Sequence, residues 1–287
     1  MNPGTVSKIL WHFTGGPLWS ESLSKQEDEP KPMNLSFDVL IKILKSKQLR
    51  VSNYSELVRV IVPEMLFWNS EQQKVDKKHN VEKIIKSSPV CCLADIPIQH
   101  LDFHSKRYGK FAIGFHRQSA IKHNFNPVLY SLIDSPILSS IFSGLSTINS
   151  STETFYIKKD INEIDKILGG IQKKVNESDN NNSSLYKEDF DFKIAIEEEI
   201  EALESHIDKA KKSITDFVAF VKTFTEDEFN SIYCEREWRS IAPYNFTIED
   251  IAIIVLPKEG GFFKKLIDLD IIPKYISIIA WEDLVEY

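Results

Sequence analysis

Tyr233-Cys234-Glu235-Arg236-Glu237-Trp238-Arg239 is a short, charge-dense stretch between apolar flanks. Phe229 and Ile232 lead into it; Ile241 and Ala242 lead out. Read as a strand, its side chains alternate between two faces. Glu235, Glu237 and Arg239 then share one face, and Arg236 and Trp238 share the other. Two carboxylates and a guanidinium on a central strand are costly unless they neutralise one another in a structural network or line a polar cleft. Perturbed charges concentrate at functional sites, so the expectation is a sheet whose surface carries a charged cleft at Glu235 and Glu237.

Other apolar stretches supply the rest of that sheet. Ile9 to Thr14 reads as a first strand, with Leu10, His12 and Thr14 on one side and Trp11 and Phe13 on the other; Gly15-Gly16-Pro17 stops it. Val90 to Ala94 is a short buried strand, and the continuously apolar Phe111 to Phe115 is a central one. Gly109 sits where a helix over 98–108 would end. Asn126 to Tyr130 turns into a further extended segment. Ile251 to Val255 and Tyr275 to Ile279 give two late strands, separated by a helix that begins at Phe262-Phe263.

Helical spacing appears between these strands. Phe37, Leu40, Ile43 and Leu44 share one face of a helix that Ser36 caps. Val58, Ile61, Val62, Met65 and Leu66 make residues 53–88 read as partly irregular helix, interrupted at Pro63. Ile161, Ile164, Leu168, Ile171 and Val175 step by three and four. After the polar loop 176–184, Ile196, Ile200, Leu203, Ile207, Ala210, Ile214, Phe217, Val221 and Phe224 do the same. Two antiparallel helices joined by the asparagine-rich loop follow, either packed on the domain or offered as an arm for a partner or a second copy.

Strands at both ends, helices between and no βαβ regularity give an α+β fold. It has a mixed, mainly antiparallel sheet with flanking helices and an inserted long helical hairpin. The expected boundaries are 1–155 and 226–287 for the two parts of one domain, with the hairpin at 156–225.

Composition removes several function classes. The 287 residues are 42% hydrophobic and 27% charged, with net charge -7. That balance lacks the basic excess of a generic nucleic-acid binder. Three cysteines, two of them adjacent at Cys91-Cys92, form neither a disulfide framework nor a zinc spacing. No apolar run reaches the length of a membrane span, and a reducing cytoplasm is the expected compartment. Gly-x-Gly-x-x-Gly, P-loop and Gly-x-Ser-x-Gly patterns are absent. His100 and His104, four apart, share a helix face with each other and with Asp102 invite a metal reading, but a third placed ligand is lacking, so no metal is expected.

Three segments together resemble the AbiGi-type abortive-infection family of bacterial phage-defence proteins. They are Cys92 to Pro97 with Arg107 to Phe115, then Asn126 to Tyr130, then Tyr233 to Arg239. That resemblance implies a phage-resistance role, with an antitoxin or partner-binding component of a two-gene system as one form of it. The partner would be a cognate defence or toxin–antitoxin protein.

A second resemblance rests on His12-Phe13-Thr14, followed by a helix and Leu49-Arg50-Val51. This is similar to the opening of ADP-ribosyltransferases of the His-Tyr-Glu type. It implies an enzyme that uses NAD as substrate to modify a macromolecule. His12 and Thr14, with Arg50, Tyr108 and Arg239, would hold the dinucleotide. Glu237 or Glu235 would stabilise the oxocarbenium-like sugar. Tyr108 or Tyr130 would be the middle tyrosine.

Overall fold

The computed structural model describes residues 7–20, 25–26, 29–51, 55–154, 185–228 and 232–285. Its centre is a sheet that among the described residues has seven strands. In chain order these are β1 (Ile9–Phe13), β4 (Cys91–Ala94), β5 (Ala112–His116), β6 (Asn126–Pro127), β9 (Glu237–Ser240), β10 (Ile251–Leu256) and β11 (Ser277–Ala280). Their spatial order is β11-β10-β5-β1-β4-β9-β6. All neighbours are antiparallel except β10 and β11. The fold is α+β, as the sequence implies.

Pleating divides the apolar side chains between two cores. Leu10, Ile113, Phe115, Ile254 and Leu256 pack on one face, with Phe37, Leu40 and Leu44 from helix α1 (Met33–Ser46) and Phe262 and Leu266 from a later helix, Phe262–Asp268. Trp11, Ala112, Ile253 and Val255 pack on the other, against Leu101, at the start of helix α2 (Leu101–Tyr108), and Trp281. Each large buried side chain contributes roughly 1.5–3 kcal/mol. Gly114 lies where a Cβ would meet Ile253 and Ile9 Cγ2 atoms at 2.7 Å each, so a bare backbone is required there.

The two halves of this sheet meet at one point. β1 pairs with β5 through five residues, from Ile9↔His116 to Phe13↔Ala112. β4 pairs with β9 through four, from Glu237↔Ala94 to Ser240↔Cys91. Between β1 and β4 the register holds the single pair Trp11↔Ala94. Beyond it the strands part, and a wedge opens in the middle of the sheet.

Several elements differ from the sequence expectation. In the segment 53–88, the described residues 55–88 form no helix: β2 (Ser55–Asn69) and β3 (Lys74–Pro89) make a long two-stranded ribbon. Val58, Val60 and Val62 carry the strand alternation, and Pro63 is tolerated because each strand of a two-stranded ribbon has a free edge. Asn69 Oδ1 closes the turn by accepting from the Glu71 and Gln72 amides at 3.1 and 3.2 Å. Ser36 is not the cap of α1. Pro32 holds that place, and the Ser36 hydroxyl donates back to the Pro32 carbonyl at 3.1 Å.

The second apolar run also ends earlier than its spacing implies. Helix α5 (Leu185–Val218) stops before Val221 and Phe224, which belong to strand β8 (Val221–Phe224). β8 lies parallel to β7 (Leu129–Leu132). The first expected helix of the arm, 161–175, lies outside the described residues. Helix α4 (Pro136–Thr154) precedes it, where no element was expected, and the short helix α3 (Arg117–Lys122) follows β5.

By its contacts the chain forms two compact units. One comprises 1–59, 86–133 and 218–287, and the other 60–85 and 134–217. Among the described residues, no helix is long and apolar enough to cross a membrane.

Candidate active site

The wedge between β1 and β4 is the mouth of a cavity of about 350 Å³. All the residues lining it belong to the first unit. Among them are His12, Arg50, Tyr108, Glu235, Glu237 and Arg239, so six of the seven candidates from the sequence come together. Strict alternation puts His12 on the pleat of Leu10, and the register puts Glu237 on the pleat of Trp11 and Ala94. Both line one cavity because the two half-sheets part between them.

Thr14 is the exception. It is buried, and its hydroxyl donates to the Ser36 carbonyl at 2.8 Å, tying the end of β1 to α1. It holds the strand that carries His12 rather than lining the cavity.

His12 fills the gap left by the missing strand ladder. Its Nδ1 lies 3.1 Å from the Cys92 carbonyl oxygen. Burial lowers its pKa; the Cys92 carbonyl opposes this and the Lys31 ammonium adds to it. A neutral imidazole whose Nδ1–H donates to Cys92 keeps Nε2 as an acceptor.

The acidic floor is a network rather than one strand face. Tyr233–Glu235 is a 3₁₀ turn, and Arg236, with φ of 42°, redirects the chain into β9. Glu235 therefore precedes the strand, while Glu237 and Arg239 share one of its faces. Lys222 of β8 joins the pieces: its ammonium contacts Glu235 directly and Glu237 at 3.3 Å. Arg239 has a fully buried side chain. It donates to Glu237 at 2.8 Å, to Glu56, and to the Ala219 carbonyl at 2.8 Å.

Burial by itself would raise the Glu237 pKa, but Lys222 and Arg239 outweigh it and hold the carboxyl ionised, well below the usual range. Lys222 is likewise held charged: burial opposes its charge, and Glu237 and Glu235 overcome that penalty. The Cys92 thiol, hydrogen-bonded to Glu237, is pushed well above its ordinary value, chiefly by burial and also by Glu237. Its surroundings favour the protonated thiol over the thiolate.

Two tyrosines flank the floor. The Tyr108 hydroxyl donates to Glu235 Oε1 at 3.4 Å, and burial and Glu235 raise its pKa. Tyr130 stands behind β9, where its hydroxyl accepts from the Glu237 amide at 2.7 Å. Tyr108 thus lines the cavity and Tyr130 positions Glu237. At the outer part of the lining stand cations: Arg50 is exposed, Arg107 approaches Glu235 at 3.8 Å, and Lys31 is half-buried.

Glu56, Lys222, His104 and Lys31 were not legible as site residues. Lys222 lay inside an apparent helical run, and Glu56 inside the segment read as helix. The strand alternation of Val221-Lys222-Thr223-Phe224 was the available signal for Lys222. His100 is exposed and His104 buried, and no group of three or more His, Cys, Asp or Glu placed to hold a metal ion occurs among the described residues.

One family model matches the chain, over residues 55–265, and its description is "Putative abortive phage resistance protein AbiGi, antitoxin". No curated protein and no solved structure matches.

Proposed function

The chain belongs to the AbiGi family of abortive phage-resistance proteins, and we propose that it serves phage resistance as an ADP-ribosyltransferase-like enzyme with NAD as substrate. One observation carries this reading: an ionised Glu237 and a neutral His12 line the same cavity where the sheet splits. The cavity lies within the size range of small-ligand sites.

Its charge pattern suits a dinucleotide. Arg50, Arg107 and Lys31 offer cations to a pyrophosphate. The floor sets three carboxylates, Glu56, Glu235 and Glu237, against the two cations Lys222 and Arg239. The Glu235 and Glu237 carboxylates favour a sugar carbon that becomes positive. In the proposed step the bond from the ribose carbon to the nicotinamide nitrogen breaks, and its electron pair leaves with neutral nicotinamide. Glu237 stabilises the cationic carbon until an acceptor oxygen or nitrogen attacks it and releases a proton. Glu235, anchored by Tyr108 and Lys222, stands at the same floor to meet the acceptor.

The test is incubation of the purified full-length protein with labelled NAD, with and without cell extract. Nicotinamide release, or label transferred to a macromolecule, is expected, and Glu237→Gln should lower it by about 100-fold or more. A wild-type protein that neither binds nor consumes NAD would overturn the enzyme reading.

The family description supports a second reading, a non-catalytic antitoxin that restrains a cognate toxin. In that case the paired floor charges are structural, and α5, with Leu203 and Phe217 exposed, would contribute to partner contact or self-association. Co-purification with a toxin encoded beside it, by a wild-type protein that neither binds nor consumes NAD, would favour that reading.

A further inference from the structure

Charge around the cavity mouth is segregated from the rest of the chain. Residues 29–50 carry five bases, Lys31, Lys42, Lys45, Lys47 and Arg50, against Glu29 and Asp38. Residues 101–110 carry Lys106, Arg107 and Lys110 against Asp102. The two segments together hold +5, whereas the whole chain is -7, so everything outside them carries -12. Both border the cavity: Lys31, Val39 and Arg50 line it from the first, Arg107 and Tyr108 from the second. α1 packs on one face of the sheet and α2 on the other, and Ser36 of α1 and Tyr108 of α2 both close on Gly15. Lys42 lies one turn after Val39, and Lys45 one turn after that. A basic stripe therefore runs from the mouth along α1, a helix about 20 Å long. Lys42, Lys45, Lys47 and Lys106 are all exposed. Glu249 stands near Lys47, and Glu282 meets Lys110 at 3.4 Å. On α2, Phe103 is 56% exposed and one turn before Lys106 and Arg107, so an open aromatic ring stands beside two cations.

We propose that the acceptor of the transferred ADP-ribose is a single-stranded nucleic acid, and that it lies along this basic mouth. The proposal rests on the NAD reading above and names its acceptor class. Lys31, Arg50 and Arg107 then serve the dinucleotide, while Lys42, Lys45, Lys47 and Lys106 track the acceptor's phosphates. A line of cations beside an exposed aromatic ring holds single strands without sequence preference: phosphates meet the lysines and a base stacks on Phe103. A duplex keeps its bases inside the stack, so the single strand is favoured. The negative charge of the whole chain is no obstacle, because charges more than about 8–10 Å apart are largely screened at physiological salt. In the step, the electron pair of the broken ribose–nicotinamide bond leaves with nicotinamide. A nitrogen of the unstacked base gives its pair to the ribose carbon, and the proton on that nitrogen passes to water.

The test incubates full-length protein and NAD labelled in its adenylate phosphate with short single-stranded DNA or RNA of mixed sequence. The same sequences as duplexes, polyglutamate and cell extract are the competing acceptors. Label should appear on a single strand, not on duplex or polyglutamate, and should be lost with Glu237→Gln. Fluorescence anisotropy of a dye-labelled strand should show binding that weakens with salt. Changing Lys42, Lys45 and Lys47 together to Gln should weaken it by about tenfold and lower the log–log salt slope by about 2. NAD affinity should not move, because none of the three lines the cavity. The same three changed to Arg should keep strand binding, which separates charge from fold. Phe103→Ala should weaken strand binding by about tenfold. If NAD is consumed but the label goes only to water, or to an extract component that resists nuclease and yields to protease, the nucleic-acid acceptor is overturned and the NAD reading stands. If NAD is neither bound nor consumed, both fall, even where a strand binds.

Discussion

Glu237 takes up charge from two cations at once, and removing its carboxylate strands both. Glu237→Gln leaves Lys222 with Glu235 and Arg239 with Glu56, each short of one partner. Leaving a buried charge wholly uncompensated costs about 3–5 kcal/mol; because each cation keeps one carboxylate, a loss of about 3 kcal/mol or less in the unfolding free energy from urea melts is the expected outcome. Because the folded Glu237 pKa lies below the ordinary glutamate value, its contribution is fully present above that value. It fades as pH falls toward the folded pKa, and urea melts at stepped pH should show the slope flattened in Glu237→Gln. His104 adds an independent slope. The unfolded chain takes up its proton near 6.5, the folded one at about 4. Stability is therefore complete above 6.5 and declines between 6.5 and 4; His104→Asn should remove that decline. The charged pair was legible because Glu237-Trp238-Arg239 keeps strand alternation, which puts Glu237 and Arg239 on one face. Lys222 was hidden, because Val221 and Phe224 continue a helical spacing that the backbone abandons at Val218.

The cavity depends on two elements meeting without side chains between them. Gly15 follows β1, and a Cβ there would lie 2.8 Å from the Tyr108 carbonyl, 2.9 Å from Ser36 Oγ and 3.1 Å from the Gly109 Cα. Gly109, at φ of 73°, ends α2. The first and third of these neighbours are backbone, so they cannot swing aside. Gly15→Ala should push the end of α2 from β1, moving Tyr108 and His104 out of register with Glu235. The expected result is a loss of about 1–3 kcal/mol in stability together with weaker ligand binding; a variant of wild-type affinity and stability would show that the contact is not tight. Strand identity was readable wherever alternation or a continuous apolar run was long enough, as in β1, β5 and β10. The β2–β3 ribbon was not, since Val58, Ile61, Val62, Met65 and Leu66 satisfy helical spacing as well. The β-branched Val58, Val60, Ile61 and Val62 favour the strand that forms. The parting of β1 from β4 leaves no trace in either strand's own sequence, because it is set by a register of one residue pair.

At the scale of the molecule, every residue lining the cavity belongs to the unit of 1–59, 86–133 and 218–287. Helices α4 and α5 lie in the other unit, between strands β7 and β8. Those two strands are parallel, from Leu129↔Val221 to Leu132↔Phe224. A parallel pair cannot be joined by a tight turn and needs a crossover of about a dozen residues. The helices supply far more than that, so their length answers a need other than closing the pair. Replacing residues 136–217 by a flexible linker of about twelve residues should keep β7 and β8 paired, and with them Tyr130 behind Glu237 and Lys222 on the floor. NAD affinity of the shortened protein should stay within about threefold of the full chain, since no lining residue is removed. Protection against phage, measured by plaque formation, should be lost if the helices carry the contact with an acceptor or partner. A folded shortened protein that no longer binds NAD would show instead that the helices shape the cavity, and one that still protects would free them of any role in partner contact.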